Sequence, residues 1–134
     1  MEIHVASHCL LNPTVRPGWL KPPKRLEVYP VIQLPCPEII YLGARRSRVN
    51  KDELDHPNYR RFCASLLRPY LDMLENLSPD QIVVWGIAGS PSCACKTTSV
   101  SNGKNGHHHP PGMGVLMETL AERLEKFRVE YRDR

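Results

Sequence analysis

No part of the chain approaches the ~20 consecutive apolar residues of a membrane-spanning helix, which rules out such a helix within it. The segment Met1-Glu2-Ile3-His4-Val5 lacks the basic region and apolar stretch of a secretory signal, so a cytoplasmic protein is expected. There is no internal repeat, and no close CxxC pair of the kind that marks a zinc ribbon. Charge of one sign is scarce as well. Eighteen basic against 14 acidic residues leave a net +4, which accommodates an anionic substrate without demanding nucleic acid. An even complement of cysteines is also missing. Five cysteines in a chain read as cytoplasmic argue against a disulfide framework and for metal or thiolate chemistry.

What the chain has in excess is proline, 13 of 134 residues, against a usual share of ~5%. With 41% hydrophobic residues it can bury one core, and a single α/β domain over residues 1–134 is expected. Glu2 to Ser7 alternates as a strand and stops just before Cys9. The proline-rich stretch 12–30 reads as an extended loop. Val31 to Leu34 is a short strand before Cys36, and 38–46 gives a helical turn or two, with Pro37 suited to the start. Residues 57–77 form a helix with Tyr59, Phe62, Cys63, Leu66, Tyr70, Met73, Leu74 and Leu77 on its apolar stripe. Asp55 is expected to cap it and Pro69 to kink or split it. Ile82 to Ala88 is an apolar strand ahead of Cys93, and 96–112 a long polar loop. A helix over 113–127 and an edge strand at Val129 and Tyr131 complete the chain. Strands alternating with helical segments predict a compact Rossmann-like fold, an open, mostly parallel sheet of three or four strands flanked by helices.

On that scheme Cys9, Cys36 and Cys93 each follow a different strand. The C-terminal ends of parallel strands share one edge, where ligands bind, so three thiols distant in sequence can meet in one pocket. Zinc takes three or four such ligands, and an iron–sulfur cluster takes thiolates from widely separated positions. Spacing alone leaves both open.

The local sequences go further. Ser7-His8-Cys9-Leu10-Leu11, Cys36-Pro37-Glu38 and Ser90-Pro91-Ser92-Cys93 resemble, in order, the three signature segments of the thiouracil desulfidase family. The resemblance is carried by short motifs between the first strand and the residues just past the third. It implies that Cys9, Cys36 and Cys93 ligate one [4Fe-4S] cluster whose fourth iron, open, accepts the sulfur of a thiolated base. It implies catalytic roles for Glu38 and Ser90. The chain departs from the family pattern at His8, Asn12 and Ala94, where small residues and glycines are usual, and it lacks the segment C-R-Y-D-G.

The implied reaction is a non-redox desulfidation of a thiolated pyrimidine or similar small thio-compound, a nucleobase or nucleotide. The open iron acts as Lewis acid and water as nucleophile. Glu38 is placed as general base, and Ser90 as a hydrogen-bond donor or proton relay. The alternatives are a zinc protein or a non-catalytic iron–sulfur carrier built on the same cysteines. Cys95 is a spare thiol or a fourth ligand, and Cys63 belongs to the core. His8, beside a ligand, is a candidate for tuning the cluster sulfur. The run His107-His108-His109 reads as an exposed loop. Arg45, Arg46, Arg48 and Lys51 read as a solvated face without the interleaved aromatics of a nucleic-acid site.

Overall fold

The computed structural model describes residues 1–103 and 106–134. Lys104 and Asn105, within the predicted loop 96–112, lie outside the described residues. Four strands make one fully parallel sheet: β1 (Glu2–Ala6), β2 (Val31–Gln33), β3 (Gln81–Gly86) and β6 (Val129–Asp133), in the order β2-β1-β3-β6. This is the expected open α/β arrangement. The register sets Val5 beside Ile32 on one side and Val84 on the other, and Val84 in turn beside Tyr131. Alternation then gives one apolar face, on which Ile3, Val5, Ile82 and Val84 are buried. The opposite face carries His4 and Trp85, stacked with ring centroids 6.2 Å apart, and the Arg132 guanidinium over the indole.

The apolar face packs in one core with two helices, α4 (Pro57–Leu77) and α5 (Val115–Arg123). The buried stripe of α4 is Tyr59, Cys63, Leu67, Leu71 and Leu74, spaced by three and four. The expected stripe was rotated toward solvent, for Met73 and Leu77 are 45% and 38% exposed. Pro69 does not split the helix, which runs continuously through it. Pro69 and Ser65 are both exposed, so the carbonyl left without its N–H donor faces water. The cap is His56, whose Nδ1 accepts from the Tyr59 N–H at 3.3 Å, and Asp55 instead pairs with Arg60.

Two short helices escape the sequence pattern, α1 (His8–Leu11) and α3 (Lys51–Leu54), whereas α2 (Pro37–Leu42) is the short helical turn expected over 38–46, opened by Pro37. Within the proline-rich stretch, Pro13–Val15 forms a single 3-10 turn. The described parts of the polar loop form a hairpin, β4 (Val100–Ser101) with β5 (His107–His108), extended by a bridge between Thr97 and Pro111. Among the described residues no helix is long and apolar enough to cross a membrane.

Candidate functional site

Because β2, β1 and β3 are neighbours, their C-terminal ends open onto one place. Cys9, Cys36 and Cys93 all line a single cavity of ≈ 250 Å³ there. The lining also includes Glu38, Ser90, Arg16, Arg46 and Arg48. All five residues expected at a site are thus brought together, by chain segments far apart in sequence.

Each thiol is placed by backbone geometry. Cys9 lies in α1, whose Leu10 is fully buried and anchors the turn. Cys36 is the N-cap of α2, with Pro37 opening the helix. Cys93 sits in the turn after β3. Ser90 Oγ accepts from the N–H of Cys93 at 2.9 Å and of Ser92 at 3.3 Å, which closes this turn. The first amides of α5 dock on the same turn: Val115 N–H donates to Pro91 O at 3.0 Å and Leu116 N–H to Ser92 O at 2.9 Å. The donors that a helix start leaves unpaired therefore fix the third thiol. Ser90 has this structural duty, and its own O–H remains available to donate, since an oxygen can accept while its hydrogen points elsewhere.

The three thiols influence one another's ionisation. Burial pushes Cys93 well above the usual thiol range, and the charges that Cys36 and Cys9 would carry push it further. Burial also raises Cys9, against the pull of the Arg16 guanidinium, whose Nη1 lies 3.9 Å from Cys9 Sγ. Cys36 is raised chiefly by burial. Glu38 is raised by burial too, opposed by hydrogen bonding to Ser92 and by Arg46 and Arg16. Arg46 Nε stands 3.9 Å from Glu38 Oε1, and its other nitrogens donate to Gly43 O at 3.2 Å and Val15 O at 2.9 Å.

The basic run is therefore not all solvated surface. Gly43 ends α2 with φ 96°, a left-handed conformation that turns the chain back toward the pocket, and Arg46 and Arg48 line it. At the mouth, Arg48 lies over the Trp19 ring at 5.3 Å and 2.8 Å from His107 Nε2. His107 and His109 also line the cavity, while His108 is exposed. The histidine run is partly site rim, because the β4–β5 hairpin folds it back over Gly89.

Other candidates lie apart. The Cys95 thiol points away from the cavity toward Val84 O, 4.0 Å distant, and its N–H donates to Asp133 Oδ1 at 2.7 Å. Burial and Asp133 push that thiol up to about 12. Cys63 is fully buried in α4, as expected of a core residue. His8 is not among the cavity-lining residues, and its Nδ1 is buried without a hydrogen-bond partner.

Among the described residues, no three His, Cys, Asp or Glu side chains are arranged to hold one metal ion. A single zinc with Zn–S of about 2.3 Å needs thiolates in mutual contact. A cubane cluster instead receives its three thiolates on three different irons, and soft thiolates are its ligands of choice. The donor set, three thiols lining one cavity with the Arg16 guanidinium beside the Cys9 sulfur, fits that second requirement.

The chain is 35% identical over 103 residues to an uncharacterized protein of Methanocaldococcus jannaschii. The match covers 75% of this chain and 57% of that relative, so the chain spans a little over half the relative's length. No family model matches the chain, and no solved structure matches it.

Proposed function

We propose that Cys9, Cys36 and Cys93 hold a [4Fe-4S] cluster and that the pocket removes sulfur from a small thiolated compound, as in the thiouracil desulfidases that the three motifs resemble. The observation that carries this reading is the convergence of three thiols from three strand ends on one cavity that also contains Glu38 and Ser90. When bound, the cluster supplies a thiophilic Lewis acid at the iron without a protein ligand.

The chain's own residues supply the rest. Glu38, partly buried and raised above the usual carboxylate range by desolvation, accepts a proton from water as the oxygen attacks the thiocarbonyl carbon. The C–S bond breaks as the carbonyl forms, the sulfur leaves as sulfide, and no electrons are gained or lost overall. Ser90 O–H donates to a ring oxygen or nitrogen of the substrate. Arg16, Arg46 and Arg48 favour a substrate that carries negative charge, such as a thiolated nucleotide over its free base.

Anaerobic reconstitution with iron and sulfide tests the assignment. The expected product is brown protein with about four irons and about four acid-labile sulfides per chain, releasing sulfide from 2-thiouracil or from 2-thiouridine 5′-monophosphate. About one zinc per chain without labile sulfide favours the zinc alternative. A Cys36→Ser protein with full cluster content and activity overturns the assignment.

A further inference from the structure

The last strand reaches the candidate site through one carboxylate. Asp133 ends β6 beside Gly86, its register partner at the end of β3. Its Oδ1 accepts from the Cys95 N–H at 2.7 Å. Its Oδ2 accepts from the Lys96 N–H at 2.8 Å and from the Thr97 N–H at 3.3 Å. Three consecutive amides thus converge on one side chain, in the way that a run of backbone N–H groups captures an anion. Hydrogen bonds to an ionised acceptor are the strong ones, so the segment is tied firmly.

Gly86 makes the approach possible. A Cβ there would stand 2.9 Å from Asp133 Oδ1, 2.8 Å from Cys95 Sγ and 2.2 Å from the Cys93 carbonyl oxygen. The carboxylate and the main chain of Cys93 therefore meet over one glycine, in a space that any side chain would fill. The backbone beyond Asp133 is fixed as well: Arg134 N–H donates to Gly86 O at 3.0 Å, and Ala88 N–H to Arg134 O at 3.2 Å.

What the carboxylate holds is the chain leaving the third thiol. On its upstream side the Cys93 turn is held from the core, where Ser92 Oγ is 2.7 Å from the Tyr59 hydroxyl of α4. Downstream, Cys95 and Lys96 belong to no helix or strand, so their amides have no ladder partner and depend on Asp133. The same segment braces the cavity wall. Thr97 O accepts from the Gly89 N–H at 2.7 Å, Thr98 Oγ1 donates to Ser90 O at 2.9 Å, and Gly89 and Ser90 line the cavity. Asp133 itself is not among the lining residues, so it acts on the site only through this backbone.

We propose that Asp133 is a positioning residue for the third thiol: by capturing the amides of Cys95, Lys96 and Thr97 it fixes the direction in which Cys93 presents its sulfur to the cavity. The proposal rests on the reading of Cys93 as a cluster ligand. Asp133→Ala removes the acceptor, and Asp133→Asn leaves one oxygen for three amides. In metal-free protein at pH 7, alkylation of Cys93 by iodoacetamide is expected to quicken about tenfold in Asp133→Ala, the factor that one charged hydrogen bond is worth, with Asp133→Asn in between. Cys63, buried in α4, is the internal reference. A general loss of stability quickens both thiols alike, whereas loss of positioning quickens Cys93 selectively. After anaerobic reconstitution with iron and sulfide, Asp133→Ala is expected to lose most of its bound iron and Asp133→Asn part of it. A ratio of Cys93 to Cys63 rates equal to the parent's in the folded variants overturns the proposal, as does full iron content in Asp133→Ala beside a loaded parent. Should Asp133→Ala not fold, Asp133→Asn carries the same comparison. If the parent binds no cluster, the cluster reading fails, and the rate ratio in metal-free protein still decides whether Asp133 positions Cys93.

Discussion

The carbonyl oxygen of Cys93 occupies the space beside Gly86 in which a side chain would begin, 2.2 Å from the ideal Cβ position. The same carbonyl accepts from the Ile87 N–H at 2.9 Å, so the end of β3 and the third thiol's residue share one rigid turn. Gly114 closes it from the other side, where a Cβ would stand 2.3 Å from the Ser92 carbonyl carbon. Both obstacles are backbone and cannot swing away. Gly86→Ala and Gly114→Ala are each expected to destabilise the protein by about 1–3 kcal/mol, the usual cost of overpacking, and to reduce bound iron after reconstitution. Gly18→Ala, with open space around it, should stay within about 0.5 kcal/mol. Urea denaturation with parallel iron assays checks all three.

Cys95 differs from its neighbour two residues earlier in direction rather than in burial. Its thiol faces Val84 O, on the side of the turn away from the cavity. Cys95→Ala is expected to retain full iron and sulfide content and full sulfide release, while Cys9→Ser, Cys36→Ser and Cys93→Ser each lose both. Metal and sulfide analysis of the four proteins decides this.

Thiol reactivity in metal-free protein provides a further check. Burial raises all five thiols, so at neutral pH they are protonated, and the thiolate is the nucleophile. Alkylation by iodoacetamide at pH 7 is expected to be slower than in the urea-unfolded chain, where the thiols lose the burial that raises them. Cys9 and Cys36, which are only half-buried, should react before Cys63, Cys93 and Cys95. Peptide mass analysis over time gives the order.

The pairing of Asp55 with Arg60 predicts a pH dependence. Arg60 grips the carboxylate with two nitrogens, at 2.5 and 2.9 Å, and hydrogen bonding to it holds Asp55 below the usual carboxylate range. The folded pKa is therefore lower than the unfolded value of about 3.9. The stabilisation is fully present above that unfolded value and is lost as pH falls through the folded one. The difference in denaturation midpoint between parent and Asp55→Asn should be constant from about pH 5 upward and shrink below about pH 4.

Much of this architecture is legible in the amino-acid order. Alternation from Glu2 and the apolar run Ile82–Ala88 announce strands, observed as Glu2–Ala6 and Gln81–Gly86, and parallel pairing then brings Cys9, Cys36 and Cys93 to one edge. Pattern is silent on elements shorter than two turns, which is why α1 and α3 are invisible to it. It also misplaces the buried side of α4, where Leu67 and Leu71 are core and Met73 is not. Arg46 looks like any other residue of a basic run, and only the reversal at Gly43 carries it inward. Ser92 and Tyr59 carry no local signal at all. Their pairing joins positions 33 apart and exists only once α4 lies against the turn after β3.

Trp19 and Trp85 divide the molecule between them. Trp19 stands half-exposed at the cavity mouth beneath Arg48, whereas Trp85 lies in the sheet with its Nε1 donating to His4 Nδ1 at 2.9 Å. They are the only tryptophans in the chain. A protein carrying Trp85→Phe would therefore emit from the mouth alone, giving an unlabelled optical reporter of whatever enters and of any quenching chromophore seated behind it.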